Sequence, residues 1–280
     1  MLLHEKMSRA TRLILVIVLI VLAGFPIYWM FSTAITPTEL LYSGKQPVIP
    51  DFSRSLKAFQ VLVDDSGAPF LHWMGNSLIV AIGATLLSLF MALLAAYGLS
   101  RYRFRGKGVV SVFFFATQML PEALLVVPLY SLFVTLGLLN KLYGLILVDT
   151  AFSMPVAVFL LKAAIDQIPY ELEEAAKVDG CGALTILHLL ILPLVAPSLA
   201  SAAVITFFDG WNEYLFATTF IQESNNWVAS TGLASFIGEF TTPLDLVFSA
   251  ALVFTIPAAV FFLILQRRIV SGLTAGSVKG

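Results

Sequence analysis

Apolar positions along the chain cluster into long uninterrupted runs, and polar ones into the short stretches between them. The runs cover residues 13–35, 73–99, 109–136, 142–164, 190–221 and 246–265. A hydrocarbon core about 30 Å thick needs roughly 20 apolar residues per helix. The pattern therefore predicts an all-α integral membrane protein with six transmembrane helices. Pro121, Pro128, Pro155 and Pro257 fall inside the runs. Proline breaks the helical hydrogen-bond ladder, but packed neighbours can satisfy the freed carbonyls. Kinked helices around a cavity are the expected result. The first run could be a signal peptide, since Arg9 and Arg12 precede it. Its length, and its finish in Pro26, Tyr28 and Trp29 instead of a small-residue cleavage site, favour a retained span.

The polar stretches set the expected orientation. Lys6, Arg9 and Arg12 precede the first span, and Arg101, Arg103, Arg105 and Lys107 crowd the loop between the second and third. Lys162 and Lys177 flank the loop between the fourth and fifth, and Arg267, Arg268 and Lys279 follow the sixth. On the opposite side, Lys45, Arg54 and Lys57 are diluted by acids, Lys141 stands alone, and residues 222–245 carry no Lys or Arg. The positive-inside bias puts both termini in the cytoplasm of a multi-pass protein. The organisation that follows is a cytoplasmic segment 1–12, a transmembrane domain 13–265 with a cytoplasmic loop at 166–193, and a cytoplasmic tail 266–280. The long outer stretch 36–71 is rich in turn residues, among them Pro37, Gly44, Pro47, Pro50 and Gly67. Residues 222–245 mix Asn225, Asn226 and Trp227 with Gly232 and Gly238, which suits either a docking loop or a plain solvated connector.

Composition agrees with lipid as the main solvent: 59% of the 280 residues are hydrophobic and 12% charged, against about a quarter charged in soluble domains. Cys181 is the one cysteine, so no intrachain disulfide holds the fold, and His4, His72 and His188 have no metal-ligand spacing. No G-x-x-x-x-G-K-[ST] loop, nucleophile elbow, metal-binding helix or dinucleotide turn is present. These absences argue against ATP hydrolysis by the chain itself and against an intramembrane enzyme, and no cofactor of its own is expected. Nothing in it points to a nucleic-acid partner.

The loop at 166–193 is unlike the rest. Pro169 suits a helix start, and Glu171, Glu173 and Glu174 follow where carboxylates complement the helix dipole. Leu172, Ala175, Ala176 and Val178 supply apolar contacts, and Gly180 and Gly182 end the helix in a sharp turn. A second apolar stretch, 184–192, leads through Pro193 into the fifth span. A short stiff helix with small residues is built to seat in a cleft of another protein. An ordinary amphipathic surface helix would fit the same pattern.

Glu174-Ala175-Ala176, then Gly180 four residues on, then Leu190-Ile191-Leu192-Pro193, resembles the EAA signature of ABC importer permeases, with Leu190 where isoleucine is common. Asp179 before Gly180 fits the form frequent in sugar importers. The resemblance continues in Asn76-Ser77-Leu78, Ala96–Arg101, Phe104–Lys107, Pro128-Leu129-Tyr130, Leu136-Gly137-Leu138 and Trp211-Asn212-Glu213. Residues 266–280 are similar to the tail of the maltose-type, MalG-like carbohydrate-uptake permeases, the binding-protein-dependent transport inner membrane components. The resemblance implies a type I ABC importer permease fold in a prokaryotic inner or plasma membrane. It makes Glu174, Ala175, Ala176, Asp179, Gly180 and Pro193 the coupling contact with an ATPase subunit. It also implies a tail contact with the ATPases through Gly272, Leu273, Thr274, Gly276 and Lys279. The partners it implies are a second homologous permease, two ATPase subunits that bind ATP and Mg, and an extracytoplasmic solute-binding protein. The cargo would be a sugar or related solute.

Ionisable residues at membrane depth are costly and usually face a partner or a wet cavity. Gln118, Glu122, Asn140, Asp149 and Asn212 are the candidates for a solute path, since amides and carboxylates exchange hydrogen bonds with sugar hydroxyls. Helix-to-helix hydrogen bonding is the competing role for Glu122 and Asp149. Asp209 and Glu213 share one helical face and could instead anchor the fifth span near a membrane boundary. The rival function is an ion-gradient-driven secondary transporter with Glu122 and Asp149 as proton carriers. Internal repeats would mark it, and none is evident. A scaffold or receptor subunit would explain the spans but not the 166–193 loop.

Overall fold

The computed structural model describes residues 9–44, 48–49, 56–64, 69–238 and 240–276, with side chains left out at residues 10 and 268–276. The described residues are helical and contain no strand. In chain order the helices are α1 (Arg9–Ala34), α2 (Thr38–Tyr42), α3 (Lys57–Val63), α4 (Phe70–Arg101), α5 (Lys107–Thr117), α6 (Glu122–Leu136) and α7 (Leu142–Asp166). There follow α8 (Tyr170–Val178), α9 (Ala183–Ile186), a π-helical turn (Leu187–Ile191), α10 (Leu192–Leu194), α11 (Ala196–Trp211) and α12 (Leu215–Phe220). A 3₁₀ turn (Ser224–Asn226), α13 (Ala229–Ser235) and α14 (Leu244–Gly276) complete the chain.

Among the described residues, four helices are long and apolar enough to cross a membrane by themselves, and two further pairs do so if each bent pair counts as one span. The bent pairs fall where the sequence predicts continuous spans at 109–136 and 190–221. The first bends by 101° between α5 and α6. Pro121 has extended backbone there, with Glu122 opening the next helix, and the proline also disfavours helical geometry at Leu120 before it. The second bends by 80° between the segment ending in α10 and the one starting at α11. Pro193 and Pro197 each lack the N–H that would reach four residues back. The ladder slips into a π turn at Leu187–Ile191 and then breaks at Val195.

The chain forms two compact units. The first comprises residues 1–71 with 233–256. Within it α1 exposes an apolar run from Leu13 to Leu22, as expected of a helix whose solvent is lipid. The junction after α1 is polar and tied down. Thr38 Oγ1 donates to Asp245 Oδ1 at 2.6 Å, and Asp245 N donates back to Thr38 Oγ1 at 3.3 Å. Tyr42 Oη bridges the backbone of Thr242, donating to its carbonyl at 3.1 Å and accepting from its N–H at 3.3 Å.

The second unit comprises residues 72–232 with 257–280 and has two apolar centres. One packs Ala92, Ala96 and Leu99 of α4 against Ala157, Val158, Leu161 and Ile165 of α7, with Ile186, Leu187, Ile191 and Ala202. Small residues let helices approach closely where lipid offers no hydrophobic drive. Gly210 of α11 makes such an approach: a Cβ there would lie 3.1 Å from the Ala81 Cα. The other centre is an aromatic chain in which Phe152, Phe216, Phe220 and Phe133 follow one another at ring separations of 5.2, 5.5 and 4.6 Å. The turn 222–228 is pinned to the start of α4. Trp73 Nε1 donates to Ser224 O at 2.8 Å, and Asn76 Nδ2 donates to the carbonyls of Asn225 at 3.0 Å and Trp227 at 2.8 Å. This part of the polar stretch is therefore a fixed turn.

Candidate functional site: a clamped surface helix and an acid-lined cavity

The helix α8 is amphipathic in an unusual sense, because its buried side is ionic. Glu173 forms an ion pair with Arg101 at the end of α4, and the two side chains are 2% and 5% exposed. Tyr97 Oη donates to the second Glu173 oxygen at 3.1 Å. The Arg101 guanidinium also donates to Ile168 O at 2.8 Å and lies 4.5 Å over the Tyr170 ring. Tyr170 Oη returns a hydrogen bond to Ser100 O at 3.2 Å. Ser100 Oγ donates to Asp166 Oδ1 at 2.5 Å, whose other oxygen takes Lys162 Nζ at 2.5 Å. Burying one partner of such a pair alone would cost several kcal/mol (about 3–5). The network thus fixes α8 to the ends of α4 and α7. Sequence reasoning grouped Glu173 with Glu171 and Glu174 as acids that complement the helix dipole; Glu173 does lie in the first turn, and it is also the anchor. The spacing signal was available, since Glu173 shares a face with Tyr170, on the side opposite Glu171 and Val178.

The other face of α8 is open. Glu174, Ala175, Asp179 and Gly180 are exposed and Ala176 is half-buried. Val178 is 88% exposed, and Leu184 beyond the turn 76%. The turn is closed by a Schellman motif: Cys181 N donates to Ala176 O at 2.9 Å and Gly180 N to Lys177 O at 3.0 Å. Gly180 takes φ +83°, where side-chain-bearing residues are strained, and no atom would obstruct an added Cβ. Its requirement is backbone conformation alone. Pro193 is exposed at the start of the 80° bend. Gly272, Leu273, Thr274 and Gly276 fall in the last turns of α14, and Lys279 lies outside the described residues.

A cavity of about 640 Å³ opens in the second unit. Gln118, Glu122, Asp149, Asp209, Asn212 and Glu213 supply its polar lining, and Phe152, Phe208 and Phe216 are among its apolar walls. Four of the five path candidates, Gln118, Glu122, Asp149 and Asn212, thus share one site. The fifth, Asn140, does not. It sits at φ +56° in the turn before α7, where its Oδ1 accepts from the backbone N–H of Gln222 at 2.6 Å and Glu223 at 3.1 Å. Sequence reasoning left Asp209 and Glu213 between the solute path and a membrane boundary; both line the cavity.

The break at Pro121 lets Gln118 and Glu122 point the same way, and Gln118 Nε2 is held by Phe152 O at 3.0 Å. The α11–α12 break presents Asn212 and Glu213. Asn212 Nδ2 donates to Phe208 O at 2.8 Å, and Glu213 Oε1 accepts from Phe216 N at 2.6 Å. Asp149 differs: it is 6% exposed, and its Oδ2 has no hydrogen-bond partner among the described residues. No three acids, histidines or cysteines among the described residues could hold a metal ion.

Residues 84–274 match the family model of the binding-protein-dependent transport system inner membrane component. The chain belongs to this family. It is 33% identical over 265 residues to the inner membrane ABC transporter permease protein YcjP of Escherichia coli (strain K12), an alignment covering 93% of each chain. It is 34% identical to the trehalose transport system permease protein SugB of Mycobacterium tuberculosis, covering 92% of this chain and 93% of that one. The trehalose/maltose transport system permease protein MalG of Thermococcus litoralis is 32% identical, with 99% of both chains aligned. In fold, the chain matches a subunit of a bacterial ABC transporter involved in the import of the acidic polysaccharide alginate, with TM-score 0.78 at 20% identity over 94% of this chain and 99% of that one. A second structure, of a bacterial alginate ABC transporter in complex with a pentasaccharide-bound periplasmic protein, matches with TM-score 0.65 at 17% identity over 92% of both chains. The protein is a multi-pass permease component of a binding-protein-dependent importer, with the helical fold of type I ABC permeases. It is a transport subunit, not an enzyme.

Proposed function

We propose that this chain forms half of the translocation path for a sugar or related solute, and couples it to separate ATPase subunits through the segment from Asp166 to Pro193. The observation that carries the reading is the two-faced α8, with Glu173 locked to Arg101 on one side and Glu174, Ala175, Val178 and Asp179 open on the other. A helix so held moves with α4 and α7, and its open face is free to seat in a partner. The names of the relatives, two of which transport trehalose or maltose, support a sugar-like cargo.

A second, related permease subunit completes the path, because Gln118, Glu122, Asp209 and Asn212 are exposed in this chain at depths where lipid would not tolerate them. The ATPases bind ATP and Mg, and their closure carries the coupling helices and opens the path outward. An external binding protein delivers the solute. The excess of Lys and Arg in the loops at 101–107 and 162–177 supports placing α8 and both termini in the cytoplasm. The α14 end at Gly272–Gly276 and Lys279 beyond it are the tail contact with the ATPases.

Reconstitution of the complete transporter tests this. Uptake requires ATP on the α8 side and binding protein on the other, and Gly180→Val leaves membrane insertion intact while separating ATP hydrolysis from uptake. Uptake that follows a proton gradient without ATP would instead identify an ion-driven transporter using the same carboxylates.

A further inference from the structure

The cavity has a charge character that the permease reading does not itself require. Its lining includes four carboxylates, Glu122, Asp149, Asp209 and Glu213, and no Lys, Arg or His. Two of the four are accounted for inside the chain only in part. Glu213 spends one oxygen on the first turn of α12, accepting from Phe216 N and Ala217 N. Asp149 is held among α7, α4 and α11, with Gly210 bringing α11 so close that a Cβ there would sit 3.6 Å from Asp149 Oδ2. That oxygen is buried in the cavity wall and accepts nothing from the described residues. A buried acceptor without a donor is a costly arrangement, and Asp149 carries that cost at the edge of the cavity it lines.

We propose that this wall is a charge filter: it accepts hydroxyl-rich solutes that are neutral or carry an ammonium group, with the Asp149 carboxyl among the receiving groups, and turns anionic solutes away. Hydroxyl and ammonium groups both donate to carboxylates, whereas a uronate or phosphate brings more acceptors and like charge into a low-dielectric site. Phe152, Phe208 and Phe216 offer apolar surface to the solute's C–H faces. The fold neighbour involved in alginate import handles an acidic polysaccharide. By this filter, the present chain serves a solute of the opposite electrostatic kind. The inference rests on the cavity being part of the path.

The test uses the complete transporter in lipid with Cys181→Ser, so that one introduced cysteine, Asn212→Cys, is the target in this subunit. Its modification is timed with a cationic trimethylammonium-ethyl methanethiosulfonate and with the anionic sulfonatoethyl reagent, each rate divided by that for free 2-mercaptoethanol. The filter predicts a normalised preference of at least tenfold for the cation. The preference should fall to within about twofold when Asp149→Asn, Glu122→Gln and Asp209→Asn are added. A thiol that reacts with both reagents at equal normalised rates, or faster with the anion, overturns the filter. Whether the cavity is part of the path is read separately, from the change in either reagent's rate when the ATPases are trapped with ATP and vanadate. Reactivity that responds to trapping without charge preference sinks the filter and leaves the path standing. A rate that ignores trapping removes the path reading as well.

Discussion

The α8 clamp and the cavity wall hold charges in opposite ways. At the clamp each buried charge is spent: Glu173 takes Arg101 and Tyr97, while Arg101 also takes Ile168 O and the Tyr170 ring. In the cavity wall, four acids gather with no base among the lining residues, and Asp149 keeps a free oxygen. Saturated charges resist movement, because any displacement strands one of them in a poor solvent. The difference separates a helix locked to its neighbours from a cavity wall with unmet hydrogen-bonding capacity.

The largest effect should come from stranding a charge at the clamp. Arg101→Leu leaves Glu173 buried alone and should cost about 3–5 kcal/mol, read as a lower unfolding temperature of the purified transporter; Glu173→Gln, which keeps hydrogen bonding to Tyr97 and Arg101, should lose less. A near-neutral Arg101→Leu would erase the contrast between the two regions. Next is Gly180→Val, whose φ of +83° imposes a strain of about 1–3 kcal/mol. It should lower uptake per ATP hydrolysed while surface expression is kept.

At the cavity the sign reverses. Asp149→Asn replaces a buried acid that has an unpartnered oxygen, so thermal stability should hold or rise while uptake falls at least tenfold; a variant that loses stability and keeps uptake would make Asp149 a packing residue. The smallest effect is expected at the more exposed pair of Lys162 and Asp166, where Lys162→Met should change stability by about 1 kcal/mol or less. A larger loss would place that pair within the clamp proper.

The legibility of these regions differed for a physical reason. Helical class, the apolar runs and the 170–182 helix with its glycine stop are consequences of local composition and period, which one chain segment carries by itself. Gly180 is the clearest case, since its left-handed backbone is fixed by its own turn. Gln118, Glu122, Asp149 and Asn212 were legible as membrane-depth polar groups, though not as neighbours. Asn140 carried the same signal and proved to be a turn residue bonded to Gln222 and Glu223.

By itself, the sequence determined which segments prefer lipid, where helices must stop, and which short loop carries a helix ended by glycine, because each depends on hydrophobicity and backbone freedom within a few turns. Only the tertiary structure decided that Glu173 faces Arg101 while Glu174 faces out, and that Asp209 and Glu213 join Glu122 and Asp149 around one cavity. It also set where proline bends fall within predicted spans. Those outcomes depend on residues 60 to 91 positions apart in the chain, or on how neighbours absorb a missing N–H. A segment cannot encode the charge it will meet until the fold delivers it.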